Sequence, residues 1–297
     1  MMNLLVLLAY AVVMLTPGGA AHAGYADGYR LFNFLDGNIA ESSGLVASST
    51  DPGTWYTHND SGDNRNLGRF FAVGPDGNTK TTFAVTPSLN IDWEDMAAGP
   101  GSQGGRSLFF ADFGDNYQVR TLITIYEVAE PSIDETVARE VRPVATRLLA
   151  FEDGPHNAET LLVDPADGTL FVVTKDAGGK SGVYAAAPGP LPEGPGTLRR
   201  VADLDLRRFV RPGASLLTTG GDIAPDGSRL VIRTYDTAYE WRLGPMSVAA
   251  ALDAEPLPIP LPQTVQGEAI TYTLDSESLA TSSEGRLAPV HLIPGTD

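Results

Sequence analysis

A short β-rich segment recurs five times in this chain, and that repeat limits the fold more than any other feature. The copies are Ser43-Gly-Leu-Val-Ala47, Glu94-Asp-Met-Ala-Ala98, Glu159-Thr-Leu-Leu-Val163, Gly221-Asp-Ile-Ala224 and Glu268-Ala-Ile-Thr-Tyr272. Aligned on Leu45, Met96, Leu161, Ile223 and Ile270, they are spaced by 51, 65, 62 and 47 residues. Turn signals such as Asp51-Pro-Gly53, Asp164-Pro165 and Pro225-Asp-Gly227 precede a second β-rich run, as in hairpins. Repeats of about 40–50 residues with four strands each are the pattern of propeller blades. The second repeat divides into Asp95–Ala98, Ser107–Asp112, Leu122–Val128 and Thr146–Phe151. The expected fold is therefore an all-β β-propeller of five blades. Six would result if an insertion near 129–145 or 186–197 conceals one. The last repeat ends one strand short, after Pro289–Ile293. The segment Tyr29–Leu35 is expected to supply the missing outer strand and close the ring.

Residues 1–23 read as a signal peptide rather than part of the fold. Leu4 to Leu15 is apolar and uncharged, Pro17-Gly18-Gly19 breaks it, and Ala21-His22-Ala23 is a small-x-small cleavage site. An uncleaved anchor is the alternative, although the run is short for a bilayer span. Residues 24–297 are expected to form one propeller domain of a secreted, extracellular or periplasmic-type protein. After cleavage no membrane span and a monomeric state are expected. There is no cysteine, so neither disulfides nor thiolate metal sites arise.

The net charge is −17, and residues 1–23 carry no Asp, Glu, Lys or Arg. Nucleic acid and anionic membranes are excluded as partners, because both demand clustered Lys and Arg. Most of this acidity serves solubility. Some of it converges, however. Inner-strand starts and second-strand ends of a propeller share one face, because the two strands form an antiparallel hairpin. That face collects Glu41, Asp92, Glu94, Asp95, Glu159, Asp222 and Glu268 from the first group. The second group brings His58, Asp60, Asp63, Asp112, Asp115, Asp176, Asp236 and Glu284.

Glu94, Glu159 and Glu268 fall in one register, with Ser43 and Gly221 in the other two places. Carboxylates around one axis repel at low dielectric, and a bound cation, protonation or splaying into water relieves that. An all-oxygen set points to Ca²⁺, with Mg²⁺ as the alternative, and to Glu41, Glu94, Glu159, Asp222 and Glu268 as ligands. The bland reading has these acids accepting backbone N–H bonds from the neighbouring blade. Asp60-Ser-Gly-Asp63-Asn64 and Asp112-Phe-Gly-Asp115-Asn116 both read D-x-G-D-N, 52 residues apart. They are ligand-binding loops, or hairpin loops tied by Asx bonds. His58 and His156 are candidate general bases or hydrogen-bonded structural histidines. Lys175 and Arg233 end second strands, where they neutralise the acids or bind a substrate group.

Glu41-Ser-Ser-Gly-Leu45, His58-Asn-Asp-Ser-Gly62, Asp92-Trp-Glu-Asp-Met96, Asp112-Phe-Gly-Asp-Asn116 and Gly267-Glu-Ala-Ile270 resemble secreted bacterial propellers. They are similar to the SdiA-regulated and esterase-like-phytase propellers, and more distantly to gluconolactonase and paraoxonase lactonases. The resemblance covers most of residues 38–290. It implies a propeller fold and, from the lactonases, a catalytic divalent cation held by Glu, Asn and Asp oxygens in the central channel. Asn157 is a partial counterpart of such an Asn ligand. Two functions follow as expectations. One is a metal-dependent hydrolase of a lactone, ester or phosphate ester, using Glu94, Glu159, His58 or His156. The other is a non-catalytic propeller that binds a small-molecule, surface or protein ligand, with calcium as a structural pin or absent.

Overall fold

The computed structural model describes residues 24–61, 66–133, 138–186 and 194–296. Residues 1–23, the expected signal peptide, lie outside them, as do Asp63 and Asn64 of the first D-x-G-D-N loop. The described chain is almost entirely strand and turn. The first strand, β1, is Tyr29–Asn33. Four strands follow: β2 (Ser42–Ala47), β3 (Trp55–Asn59), β4 (Arg69–Val73) and β5 (Thr79–Val85), paired in that order. The second unit contains β6 (Trp93–Pro100), β7 (Arg106–Asp112) and β8 (Ile123–Ala129). The insertion then adds a short strand, β9 (Arg139–Val141), and the unit ends with β10 (Ala145–Phe151). The third is β11 (Ala158–Val163), β12 (Leu170–Thr174), β13 (Lys180–Ala186) and β14 (Gly196–Asp205). The fourth is β15 (Thr218–Ile223), β16 (Arg229–Thr234), β17 (Thr237–Arg242) and β18 (Leu257–Pro260). The last is β19 (Gly267–Tyr272), β20 (Leu279–Ser283) and β21 (Pro289–Ile293).

The inner strands follow one another round a closed cycle. β2 lies against β6, β6 against β11, β11 against β15, β15 against β19, and β19 against β2. The fold is thus an all-β propeller, and the described residues form five units round one channel. The described residues of the insertion near 129–145 add no further inner strand. Its β9 pairs parallel to β5 and lengthens the first unit's sheet. Apolar residues alternate along the strands and meet between units. One cluster joins Ala97, Phe109 and Ile125 to Leu161, Val172 and Tyr184. Such burial, at about 25 cal/mol per Å², is the main term holding the units together.

Ring closure comes from the two chain ends. β1 pairs antiparallel with β21, and Tyr29 faces Leu292. The pairing continues outward through the Ala26 N–H donating to the Pro294 carbonyl at 2.8 Å. Tyr25 and Tyr272 hydroxyls both donate to the buried Glu240 carboxylate. Phe32 and Phe34 are buried beside Leu45, Phe71 and Val290. The terminal segment therefore binds the first unit to the last by a ladder and by apolar burial. Phe34→Ala is expected to cost about 3–5 kcal/mol. That corresponds to a fall in melting temperature of roughly 10 °C, to be measured by calorimetry. A melting temperature within a degree or two of the parent protein's would show that the closure does not carry the ring.

Candidate functional site

Every inner strand contains a register shift just after its first residue. Ser42 pairs with Asn59 but Gly44 with His58; Trp93 with Asp112 but Asp95 with Ala111; Ala158 with Thr174 but Thr160 with Val173. The same shift separates Thr218 from Gly220 and Gly267 from Ile270. A bulge places two residues against one and re-aims a side chain. Ser43, Glu94, Glu159 and Thr219 occupy the bulge in four units, and Glu268 lies within it in the fifth. The three-glutamate register expected from sequence is therefore present at the channel mouth.

The fourth unit corrects that alignment. Thr219, not Gly221, takes the glutamate's place, because alignment on Ile223 slips the strand by two residues. A slip of two keeps the same face and so leaves no trace in the apolar pattern. As a consequence Asp222 stands near the far end of its strand, away from the expected ligand set. Its Oδ2 accepts from the Tyr272 N–H at 2.9 Å and from the Thr271 hydroxyl at 2.8 Å.

Glu94 and Glu159 meet at the mouth. Both are buried, and their carboxyl groups hydrogen-bond to each other. Burial, reinforced by the Glu159 and Asp92 charges, pushes Glu94 well above the usual carboxyl range, so Glu94 keeps its proton and donates. Burial also raises Glu159, against the pull of Lys175. The Lys175 ammonium lies 3.0 Å from Glu159 Oε1, which also accepts from the Asn157 amide at 3.2 Å. Burial opposes the Lys175 charge, but Glu159 and Tyr235 outweigh it and hold the pKa above the usual value. Lys175 Nζ donates to the Tyr235 hydroxyl at 3.0 Å. Burial, then Glu159, lifts Glu268 to about 7. Its Oε1 accepts from Gln266 at 3.0 Å, while the buried Oε2 has no partner. Burial and the Glu159 charge bring Asp92 to about 6.

The acidic set extends to the rim. Gln266 also donates to Glu284 at 2.6 Å. Burial and a shared hydrogen bond with Glu41 raise Asp60 to about 8. A cleft of about 520 Å³ opens beside the centre, walled by Tyr235, Gln266 and the 261–265 loop.

Other expected site residues have structural partners. His58 is fully buried against Trp93 and Phe110, and burial lowers it to about 4. His156 bonds Asp153 at 2.8 Å and packs on Phe151 and Tyr184. Arg233 is buried and donates to the Ala269, Thr234 and Tyr235 carbonyls and to the Thr281 hydroxyl. Asp112 pairs with Arg120 at 2.9 Å. Asp115 accepts from the Arg120 N–H and donates its own N–H to Asn157, whose amide also reaches Asn116 at 3.3 Å. The second D-x-G-D-N loop is thus an Asx-tied turn docked on the next unit. Its glycine is required by contact: a Cβ on Gly114 would stand 2.4 Å from Glu94 Oε1.

The expected divalent cation would need the carboxylate oxygens of the mouth free to converge on it. As the side chains stand, Glu159 is not free to do so. Lys175 and Asn157 already engage the Glu159 oxygen. Among the described residues, no three His, Asp or Glu side chains surround one point closely enough to hold a metal. Sequence reasoning passed over Tyr235 and Gln266. Each adjoins a residue that it did single out, Tyr235 two places after Arg233 and Gln266 two before Glu268.

No protein-family model matches the chain. No curated protein matches it either. Among solved structures, it is similar in fold to a gluconolactonase from Xanthomonas campestris, at 13% identity and a TM-score of 0.47, covering 95% of this chain and 99% of that one. The WD40 repeats of RRP9 give 11% identity and 0.47, over 93% and 99%. A chain of the nidogen/laminin complex gives 14% and 0.47, over 84% and 74%. Likeness at this level assigns no activity.

The raised carboxyl groups fix how stability depends on pH. A carboxyl whose folded pKa exceeds its unfolded value makes the native state bind more protons, so stability falls as pH rises between the two. For Asp92, Glu268 and Asp60 that window runs from about 4 to about 6, 7 and 8. The melting temperature should therefore fall by several degrees from about pH 5 to pH 8, and Glu268→Gln should flatten the slope. A melting temperature that rises over that range would refute the assigned protonation.

Proposed function

We propose that the channel mouth hydrolyses a small neutral ester or lactone by carboxyl acid–base chemistry. The observation that supports this reading is one buried carboxyl pair with unequal surroundings: Glu159 has the Lys175 ammonium 3.0 Å from its Oε1, whereas burial and the neighbouring acids push Glu94 well above the usual carboxyl range. A site with a proton to give, a fixed positive charge and a carboxyl near neutrality has the groups that ester cleavage needs. The unpartnered Glu268 Oε2 takes a proton from water as the oxygen adds to the carbonyl carbon. The Lys175 ammonium receives the negative charge that develops on the carbonyl oxygen. The acyl C–O bond breaks, and the departing alkoxide takes the Glu94 proton. Glu268 then returns its proton to Glu94 through solvent.

Two features narrow the substrate. The surrounding carboxylates disfavour phosphate esters and other anions. The cleft beside Tyr235 and Gln266 has room for a small molecule. Export through residues 1–23 belongs to the same proposal. A calcium-dependent binding propeller is the second reading, favoured by the unpartnered buried Glu268 Oε2. It requires Lys175 to leave Glu159.

The test is a pH-stat assay of neutral lactones and aryl esters. Activity should rise through about pH 7 as Glu268 ionises. Glu94→Gln, Glu268→Gln and Lys175→Met should each lower kcat by about 10²–10⁴-fold. Absence of turnover above background with every neutral substrate would overturn the hydrolase. For calcium, thermal melting is compared in millimolar calcium and in chelator at fixed ionic strength. Equal values are expected for the parent protein, and a calcium-dependent rise of several degrees would favour the second reading.

A further inference from the structure

The channel has a second cavity, at the end opposite the acidic mouth. Its volume is about 390 Å³, at the small end of the range of ~300–1,000 Å³ for small-molecule sites. All five units contribute to its wall, through Val46, Pro100, Pro165, Pro225 and Leu274. These residues lie at inner-strand ends or in the turns that follow, so the propeller repeat itself builds an apolar ring there. Two charged residues interrupt the ring, Arg106 and Asp222.

These two differ in what they have left to offer. Asp222 directs its oxygens inward: Oδ1 accepts from the Ile223 N–H and Oδ2 from Thr271 and Tyr272. Arg106 donates through one nitrogen to Glu130 at 2.9 Å, and its side chain remains 26% exposed. A guanidinium has five N–H donors in a planar fork suited to a carboxylate. The cavity therefore joins an apolar ring to one cationic donor on its wall. On a chain of net charge −17, an arginine at an apolar opening is a local exception.

We propose that this cavity is a binding site for a small amphipathic carboxylate, with its apolar tail in the five-unit ring and its carboxylate on Arg106. The site is separate from the Glu94–Glu159 mouth and does not depend on the hydrolase reading. Its occupant differs from that of the mouth: the mouth repels anions, whereas this end accepts one that brings apolar surface with it. Leu274, 44% exposed at the opening, forms part of the apolar wall.

The experiment is isothermal titration calorimetry on the full chain, with octanoate as the probe and 1-octanol as its neutral counterpart. Octanoate should bind saturably below millimolar concentration, and at least fivefold more tightly than 1-octanol. Leu274→Asp should weaken octanoate at least tenfold and shift the melting temperature by no more than a few degrees, since Leu274 is 44% exposed. Arg106→Gln keeps a hydrogen-bond donor for Glu130 and should erase the preference for octanoate over 1-octanol. Glu41→Gln, at the other mouth, should leave octanoate binding unchanged. Octanoate binding that is absent, that only equals 1-octanol, or that survives Leu274→Asp would overturn the proposal.

Discussion

Five bulges, one after the first residue of each inner strand, organise the acidic end of the channel. Each interrupts regular pairing with the second strand at the channel mouth. A regular strand sends alternate side chains to opposite faces, so an inserted residue is the simplest device for re-aiming one of them. The sequence places Ser43, Glu94, Glu159, Thr219 and Glu268 at or within these bulges. Two hydroxyl and three carboxyl residues thus share a structurally equivalent place, and the site's chemistry follows from which units carry the acids.

Burying those acids is costly, and the surrounding side chains show how the cost is met. A carboxylate removed from water needs a proton, an ion partner or several donors. Glu94 keeps a proton, Glu159 has Lys175 and Asn157, and Glu268 has one amide and a half-charged state near neutrality. Lys175 supplies positive charge from within the chain where the sequence suggests a metal. An internal ammonium is always present and stereochemically fixed, whereas a bound ion depends on its concentration. The same groups that lower stability above neutral pH are those with proton affinities suited to catalysis.

Adjacent inner strands are not joined by a continuous ladder, so their backbone donors call for other acceptors. Asp95 accepts from the Leu161 N–H at 2.9 Å, linking the second unit to the third. Asp222 accepts from the Tyr272 N–H, linking the fourth to the fifth. Arg233 reaches the Ala269 carbonyl across the same boundary from the donor side. Several polar residues that look functional by type are therefore staples between units. His58 is a related case, a polar residue held in an aromatic pocket and kept neutral by burial.

The sequence by itself determined the propeller, the position of the inner strands and the closing role of the N-terminal segment. These are properties of local pattern: apolar alternation, turn residues and a repeat length, each legible without knowing what touches what. It also determined that Glu94, Glu159 and Glu268 would come together, because equivalent positions of a ring share one axis. Tertiary structure alone decided the register of the fourth unit, since a shift of two residues leaves strand periodicity unchanged and moves Asp222 towards the other end of the channel. Only the folded ring decided that Lys175 would reach Glu159 while Arg233 would be spent on carbonyls, although both end second strands. The difference lies in what each side chain meets in the folded ring: Lys175 finds Glu159 in its own unit and Tyr235 in the next, whereas Arg233 finds Ala269 and Thr281 of the fifth. Such contacts join residues 16 to 60 positions apart here, beyond any local sequence signal.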